Sequence, residues 1–352
     1  VVDRDATEQL VDAVREAASR RQPVEVIGGG TKRFLGREPQ GMPLDVTIHR
    51  GIVHYDPAEL VVTARGGTPL FAVEETLAAN GQCLAFEPPA FGEGATLGGV
   101  VASGLAGPSR PRSGPVRDSV LGIRLLTGDG RVLRFGGEVM KNVAGYDVAR
   151  TMAGAFGTLG VLLEVSLKVL PAPSAVRTVS IEVDEARALA MLGSLTRVAH
   201  PLTASCWAGG VLHLRCAGSV GTLDAFQAKV GGEPVRDGDA FWRSVREHTH
   251  PFFAGRERLW RLHVDPPAPP LDLASEPLIE WHGLQRWYVQ DGSEPGAVAG
   301  RVGGYATIFR NARQGDPVFA RPADALLKLY RSLKQAFDPA GVLNPGRLYP
   351  DV

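Results

Sequence analysis

Five glycine-bearing segments, set between short β-branched runs, limit what this chain can become: Val26 to Lys32, Ala95 to Gly99, Lys141 to Asp147, Gly157 to Gly160 and Asn344 to Arg347. Without a Cβ, glycine lets a main chain reach a ligand or a second backbone closely. The apolar runs Val120 to Leu126 and Leu159 to Val169 are short, β-prone and bounded by turn residues, so they read as strands. The expected binding surface is therefore main chain at strand ends and loops, suited to a long ligand lying along a crevice.

Two common nucleotide fingerprints do not fit. Gly28-Gly29-Gly30-Thr31-Lys32-Arg33 has arginine where a Rossmann turn needs its third glycine, and no stretch supplies the Gly-Lys-Ser/Thr of a phosphate-cradling P-loop. Successive N–H groups from Gly28 to Thr31 can still form a concave anion site for a pyrophosphate, with Lys32 adding charge.

The 352 residues are 44% hydrophobic and 22% charged, enough for about two domains. Lys plus Arg and Asp plus Glu are both 38, which gives no electrostatic case for nucleic acid or an anionic membrane. No apolar run approaches the roughly 20 residues of a transmembrane helix, and no secretory leader is recognisable in a chain that starts at Val1. Cys83, Cys206 and Cys216 have no metal-type spacing. With Gly209-Gly210 as a hairpin turn, Cys206 falls opposite His213 rather than Cys216, so a reducing cytoplasm is expected.

Asp5 and Glu8 ahead of Leu10, Val11, Val14, Ala17 and Ala18 predict a capped amphipathic helix. Val24 to Ile27 predicts a strand leading into the first glycine turn. Thr68 as N-cap and Pro69 in the first turn predict a helix carrying Leu70, Val73 and Leu77. Asp129-Gly130 predicts a hairpin. After Pro171 and Pro173 the pattern becomes strand 177–183, helix 185–196, hairpin 203–216 and helix 223–230, a split β-α-β order like a ferredoxin-like unit. Further strands are expected at 259–264, 278–281, 286–289 and 305–309, with a stiff proline run at 266–270 and a last helix carrying Leu326, Tyr330, Leu333 and Phe337.

The five segments, in this order, resemble the vanillyl-alcohol-oxidase (PCMH-type) FAD-binding superfamily, and within it the chain is most similar to the FAD-binding E subunits of bacterial glycolate oxidases. The resemblance implies an α+β protein: a PCMH-type FAD-binding domain over 1–172, a shortened ferredoxin-like cap or substrate domain over 173–310, and a segment over 311–352 returning to the FAD domain. It implies that Thr96, Leu97, Gly98, Gly99, Ala102, Ser103 and Gly107 serve the pyrophosphate, ribityl and flavin region. Gly154, Gly157, Thr158, Gly160 and Val161 would line the adenosine half. Asn344 would pair with the polar edge of the flavin, and Arg347 would supply a cation there. Relatives commonly link flavin through a histidine in the first turn or a cap residue. The first turn here has no histidine, so unlinked FAD is expected.

Oxidising a 2-hydroxy acid to its keto acid needs a hydride acceptor, a base and a cation for the carboxylate. His282, Arg286 and Tyr305 form the candidate catalytic set because they lie on or beside cap strands; continuous alternation would put His282 and Arg286 on one side, although Gly283 can break it. Arg112 and Arg117 are alternative carboxylate ligands. His248-Thr249-His250 lacks helical metal-pair spacing, and no metal is expected. The expected function is that of an FAD-dependent oxidoreductase subunit acting on a small 2-hydroxy acid. The alternative is a non-catalytic or electron-relay subunit supporting a catalytic sister flavoprotein. The resemblance implies a larger FAD-binding subunit and an iron–sulfur subunit as partners, and a cytoplasmic chain reaching the inner membrane only through that complex.

Overall fold

The computed structural model describes all residues except 1, 138–146, 196–198, 256, 266–267, 291 and 293. Two compact units are formed, one from Val1–Ala106, Pro115–Ala172 and Arg321–Val352, the other from Gly107–Gly114 and Pro173–Ala320.

The first unit is built on an antiparallel five-stranded sheet in the order Ile52–Asp56, Val61–Arg65, Val161–Lys168, Val120–Leu126, Val132–Gly136. Its middle strand is buried from Val161 to Leu167, which explains a nearly unbroken apolar run: both faces are covered, so alternation is lost. Leu162, Val165 and Leu167 join a core with the Leu70–Ala78 and Leu97–Ser103 helices. Val161 and Leu163 join a second core with Leu10, Val11, Val14 and Ala17 of the Thr7–Arg20 helix and with Val24 and Leu44. Glu164, within this buried strand, is held by Arg124 at 2.9 Å.

Local signals were read with small shifts. The first helix starts at Thr7, and Asp5 accepts from the Thr7 amide rather than from a residue deeper in the turn. Thr68 does not cap its helix, for which Pro69 is the boundary residue; its buried hydroxyl instead donates to the Gly51 carbonyl and accepts from the Gly51 amide. The Asp129-Gly130 hairpin forms as expected, with Leu126 opposite Val132.

The second unit holds an eight-stranded antiparallel sheet. Its first half, Val176–Glu182, helix Glu185–Leu195, Leu202–Ala208, Val211–Ala217, helix Val220–Val230 and Glu233–Pro234, has the fourth strand beside the first and the third between first and second. This is the ferredoxin-like β-α-β-β-α-β arrangement. Cys206 lies opposite His213, and all three cysteines are free thiols. The second half runs Leu278–Glu280, Gln285–Val289, Leu259–His263, Tyr305–Arg310 across the sheet. Its apolar face, with Trp260, Leu262, Tyr288 and Ile308, packs against Ala299 of the Glu294–Arg301 helix.

Burial holds several imidazoles of this unit neutral. Loss of solvation lowers His213 to about 4, His263 to about 3 and His282 to about 4, and pushes His248 well below its ordinary value. An unfolded imidazole takes its proton near pH 6.5. Below that pH the unfolded chain binds more protons than the folded one, so stability is full above pH 6.5 and is lost as the pH falls toward the folded values. Thermal melts recorded from about pH 7.5 down to about pH 4.5 should show a steadily falling midpoint. A midpoint constant across that window would contradict neutral buried imidazoles.

Candidate functional site

The site begins where the Val24–Ile27 strand, paired in parallel with Met42–Asp45, releases the chain into Gly28-Gly29-Gly30. This turn is pressed against the segment before the Leu97–Ser103 helix: a Cβ on Gly29 would overlap the Gly94 carbonyl, and one on Gly28 would overlap the Thr96 hydroxyl. Thr96 in turn caps its helix by accepting from the Gly99 amide at 3.3 Å. Gly98 donates to the Gly66 carbonyl at 2.7 Å, and a Cβ there would lie 2.8 Å from that oxygen. A Cβ on Gly99 would meet only the Thr96 hydroxyl, at 3.2 Å, and this glycine lines the crevice.

The crevice, about 990 Å³ with its open mouth, is lined by Gly28, Gly29, Gly30, Thr31 and Lys32 on one side and by Thr96, Gly98, Gly99, Ala102 and Ser103 on another. Gly157, Gly160, Val161, Asn344 and Arg347 complete the expected set that it brings together. The sequence reading missed Glu25, Val26, Ile27, Arg33, Val46, Met152, Ala155, Phe156, Leu159 and Leu162, which also line it. Most are apolar, and an apolar cavity wall has the same sequence signature as core. Phe156 does carry a detectable mark in its positive φ of 52°, a conformation that only the structure displays.

Four expected residues stand elsewhere. Leu97 is fully buried core, and the buried Thr158 hydroxyl donates to the Ala155 carbonyl at 2.7 Å. Gly154 lies outside the lining and donates its amide to Val101. Gly107 belongs to the second unit, where its carbonyl accepts from Trp281 Nε1 at 3.1 Å. Of the 141–147 segment, residues 141–146 lie outside the described residues. Asp147 caps the Val148–Thr151 helix by accepting from the Arg150 amide.

Asn344 and Arg347 spend their polar groups on the chain. Asn344 Oδ1 accepts from the Val26 amide at 2.8 Å, and its Nδ2 donates to the Phe156 carbonyl at 2.6 Å, so one buried amide joins the strand that leads into the first turn to the start of the Gly157 to Gly160 turn. The Arg347 guanidinium donates to the carbonyls of Arg33, Leu35 and Arg37 and braces the loop after the glycine turn. Burial lowers its pKa against the opposing pull of Glu25 and Glu38. Glu25 is occupied by Arg33 in a two-bond pair at 2.7 and 2.9 Å. Lys32 donates to the Ala90 carbonyl at 3.1 Å. The segment from Asn344 to Arg347 thus acts here as a clip for the glycine turns.

The candidate catalytic set does not assemble into one cluster. His282 sits in a left-handed turn at φ 58°, ψ 32°, which interrupts the alternation linking it to Arg286; its backbone amide donates to Ser205 Oγ. Arg286 is completely buried and donates to the carbonyls of Ala268, Pro269 and Gly283. Tyr305 is 52% exposed and stacks on His263, with ring centroids 5.0 Å apart. Arg117 lies 4.0 Å from Asp118, both exposed, while the pKa of His200 is lowered first by burial and then by the nearby charge of Arg112.

The residues fit an extended dinucleotide: the glycine turn at 28–31 offers backbone N–H groups, Gly98 and Gly99 keep Cβ atoms out of the way, and Val46, Met152 and Leu162 supply apolar wall. Gly99 separates a ligand-facing role from packing best among these glycines, because the one atom a Cβ there would meet is the Thr96 hydroxyl, at 3.2 Å. Gly99→Val should lose flavin while retaining the wild-type circular dichroism spectrum; equal flavin content in a folded variant would assign this glycine to packing. Gly157 is the poorer test, since its φ of 70° and the nearby Asn344 amide make any side chain disruptive by themselves.

Residues 1–136 match a family model described as "FAD binding domain", and residues 320–348 match "FAD linked oxidases, C-terminal domain". Glycolate oxidase subunit GlcE of Escherichia coli is 45% identical over 350 residues, covering 99% of each chain. A D-lactate dehydrogenase of Archaeoglobus fulgidus is 29% identical over 174 residues, 49% of this chain and 39% of that one. Among solved structures, p-cresol methylhydroxylase with substrate bound aligns with a TM-score of 0.69 at 15% identity, over 99% of this chain and 88% of that one. An alkyldihydroxyacetonephosphate synthase aligns with a TM-score of 0.67 at 16% identity, over 97% and 76%. Those two distant likenesses carry the fold alone, the α+β PCMH-type arrangement. Full-length identity at the level of the first relative carries more: the chain belongs to the glycolate oxidase E-subunit family of FAD-binding oxidoreductases.

Proposed function

We propose that this chain holds one FAD, without a covalent link, in the crevice of its first unit, and works as the FAD-binding E subunit of a glycolate oxidase-type complex that oxidises a small 2-hydroxy acid to the 2-keto acid. The observation that carries the reading is the 45% identity along 99% of both chains, joined to a crevice whose lining matches the cofactor's chemistry. Bound flavin supplies a two-electron acceptor. The glycine backbone at 28–31 would hold the pyrophosphate, Gly98 and Gly99 would let it approach closely, and the Asn344 clip would keep the Val26 and Phe156 walls of the crevice at fixed spacing. The apolar wall at Met152, Phe156 and Leu162 would exclude water from the ring systems.

Among the described residues lining this crevice none is histidine, cysteine or tyrosine. Acid precipitation should release yellow flavin into the supernatant; flavin retained in the pellet would overturn the unlinked assignment.

A second reading, electron relay beside a catalytic sister flavoprotein, is favoured by the separate engagement of His282, Arg286 and Tyr305. Both readings require partners, here a larger FAD-binding subunit and an iron–sulfur subunit. No helix among the described residues is long and apolar enough to cross a membrane, so the complex would supply any contact with one. Co-expression with the two partners should yield a co-purifying assembly that reduces dye with glycolate, while this chain alone shows little turnover. Equal turnover per flavin by the isolated chain would replace the subunit reading with an independent dehydrogenase.

A further inference from the structure

One buried ion pair in the first unit is directed at the segments that wall the crevice. The Asp324–Phe337 helix ends at Asp338, which is 1% exposed, and Lys334, one turn earlier, puts its Nζ 2.8 Å from Asp338 Oδ2. The same Nζ donates to the Thr158 carbonyl at 2.8 Å and to the Leu343 carbonyl at 2.5 Å. A lysine ammonium carries three protons, and this one meets three acceptors. Asp338 is engaged as fully: Oδ1 accepts from the Val342 amide at 3.1 Å and Oδ2 from the Leu343 amide at 2.7 Å.

Neither Lys334 nor Asp338 lines the crevice, yet the groups they engage belong to its frame. Thr158 stands between Gly157 and Gly160, which do line it. The Val342 carbonyl accepts from the Val24 amide at 2.8 Å, and the Asn344 amide donates to the Val24 carbonyl at 3.0 Å, so this stretch runs beside the strand that enters the first glycine turn. Gly128 closes the pair from another side: its amide donates to the Phe337 carbonyl at 2.8 Å, and a Cβ there would overlap Asp338 Oδ1. Stability alone accounts poorly for such a pair. Burial lowers the pKa of Lys334 against the pull of Asp338, and apolar replacements of buried ion pairs are often as stable. A carboxylate at a helix C-terminus also faces the negative end of the dipole. What charged hydrogen bonds supply, and apolar contacts do not, is direction.

We propose that Lys334 and Asp338 are positioning residues for the flavin. By holding the Thr158 and Leu343 carbonyls to one ammonium, they set the spacing between the Gly157 to Gly160 turn and the Asn344 segment, and so the width of the crevice between them. They act through backbone. The inference rests on the preceding reading of this crevice as the flavin site.

The test is titration of FAD into the full chain freed of flavin, followed by flavin fluorescence. Visible circular dichroism of the loaded protein and the thermal midpoint of the flavin-free chain are recorded for each variant. Lys334→Met keeps the stem and removes the ammonium; it should raise the FAD Kd about tenfold or more and alter the visible dichroism of the bound flavin. Lys334→Arg keeps the charge but cannot aim three donors from one atom, and should give an intermediate Kd. Arg124→Met breaks the Arg124–Glu164 pair of the same unit, neither member of which lines the crevice. It should lower the thermal midpoint while leaving the FAD Kd and flavin dichroism at wild-type values. Wild-type Kd and dichroism in Lys334→Met, or in Lys334→Arg should the Met variant not fold, would overturn the positioning role. An equal rise in Kd in Arg124→Met would do the same, by reducing the effect to stability. Gly99→Val, titrated alongside, separates the two readings. If the folded Gly99 variant binds FAD like the wild type, the crevice reading falls and this inference with it; if it loses FAD while Lys334→Met keeps wild-type affinity, only the positioning role falls.

Discussion

The first unit depends on backbone approaching backbone where no side chain can fit. At Gly29 the chain lies so close to Gly94 that a single Cβ would collide with a carbonyl, and at Gly98 a 2.7 Å hydrogen bond to Gly66 fixes the start of the Leu97–Ser103 helix. Hydrogen bonds between main-chain groups set these distances more tightly than packed side chains can, because they leave no rotamers to adjust. The same contacts consume the Gly98 and Gly99 amides, so the backbone donors left to an anion at the crevice are those of the 28–31 turn.

The second unit solves a different problem. One face of its sheet is closed by apolar packing against helices, as Trp260, Leu262 and Ile308 show. The other face keeps arginine, histidine and glutamine at strand positions that would ordinarily be either apolar and covered or polar and wet. Burying such groups is costly unless something satisfies them, and Arg286 shows the intrachain solution in full, with its donors directed to three carbonyls.

The glycine turns were legible in the sequence because close approach demands glycine and little else does, and Gly28, Thr96, Gly98, Gly99 and Gly157 all line the crevice. Hairpin register was legible as well: Gly209-Gly210 fixes Cys206 opposite His213 by counting alone. Destinations of polar side chains were not. Asn344 meets Val26 and Phe156 across long sequence separations, and no local pattern encodes those partners. Thr68 has the sequence context of a helix cap, yet its hydroxyl is bonded to Gly51 through both its donor and acceptor capacity. Alternation failed between His282 and Arg286 because the left-handed turn at Trp281 and His282 resets the side-chain phase.

Asn344 is 318 residues from the Val26 amide that it accepts from, and 188 from the Phe156 carbonyl to which it donates. Closing a contact over that span defers its free-energy return until most of the chain is already ordered. During synthesis the glycine turns emerge long before their clip, so for most of that time the nascent chain owns the floor of the crevice without its fastening. Fastening of these turns is thereby tied to completion of the polypeptide through Asn344, and a ribosome stalled earlier leaves a product whose turns are present but unsecured.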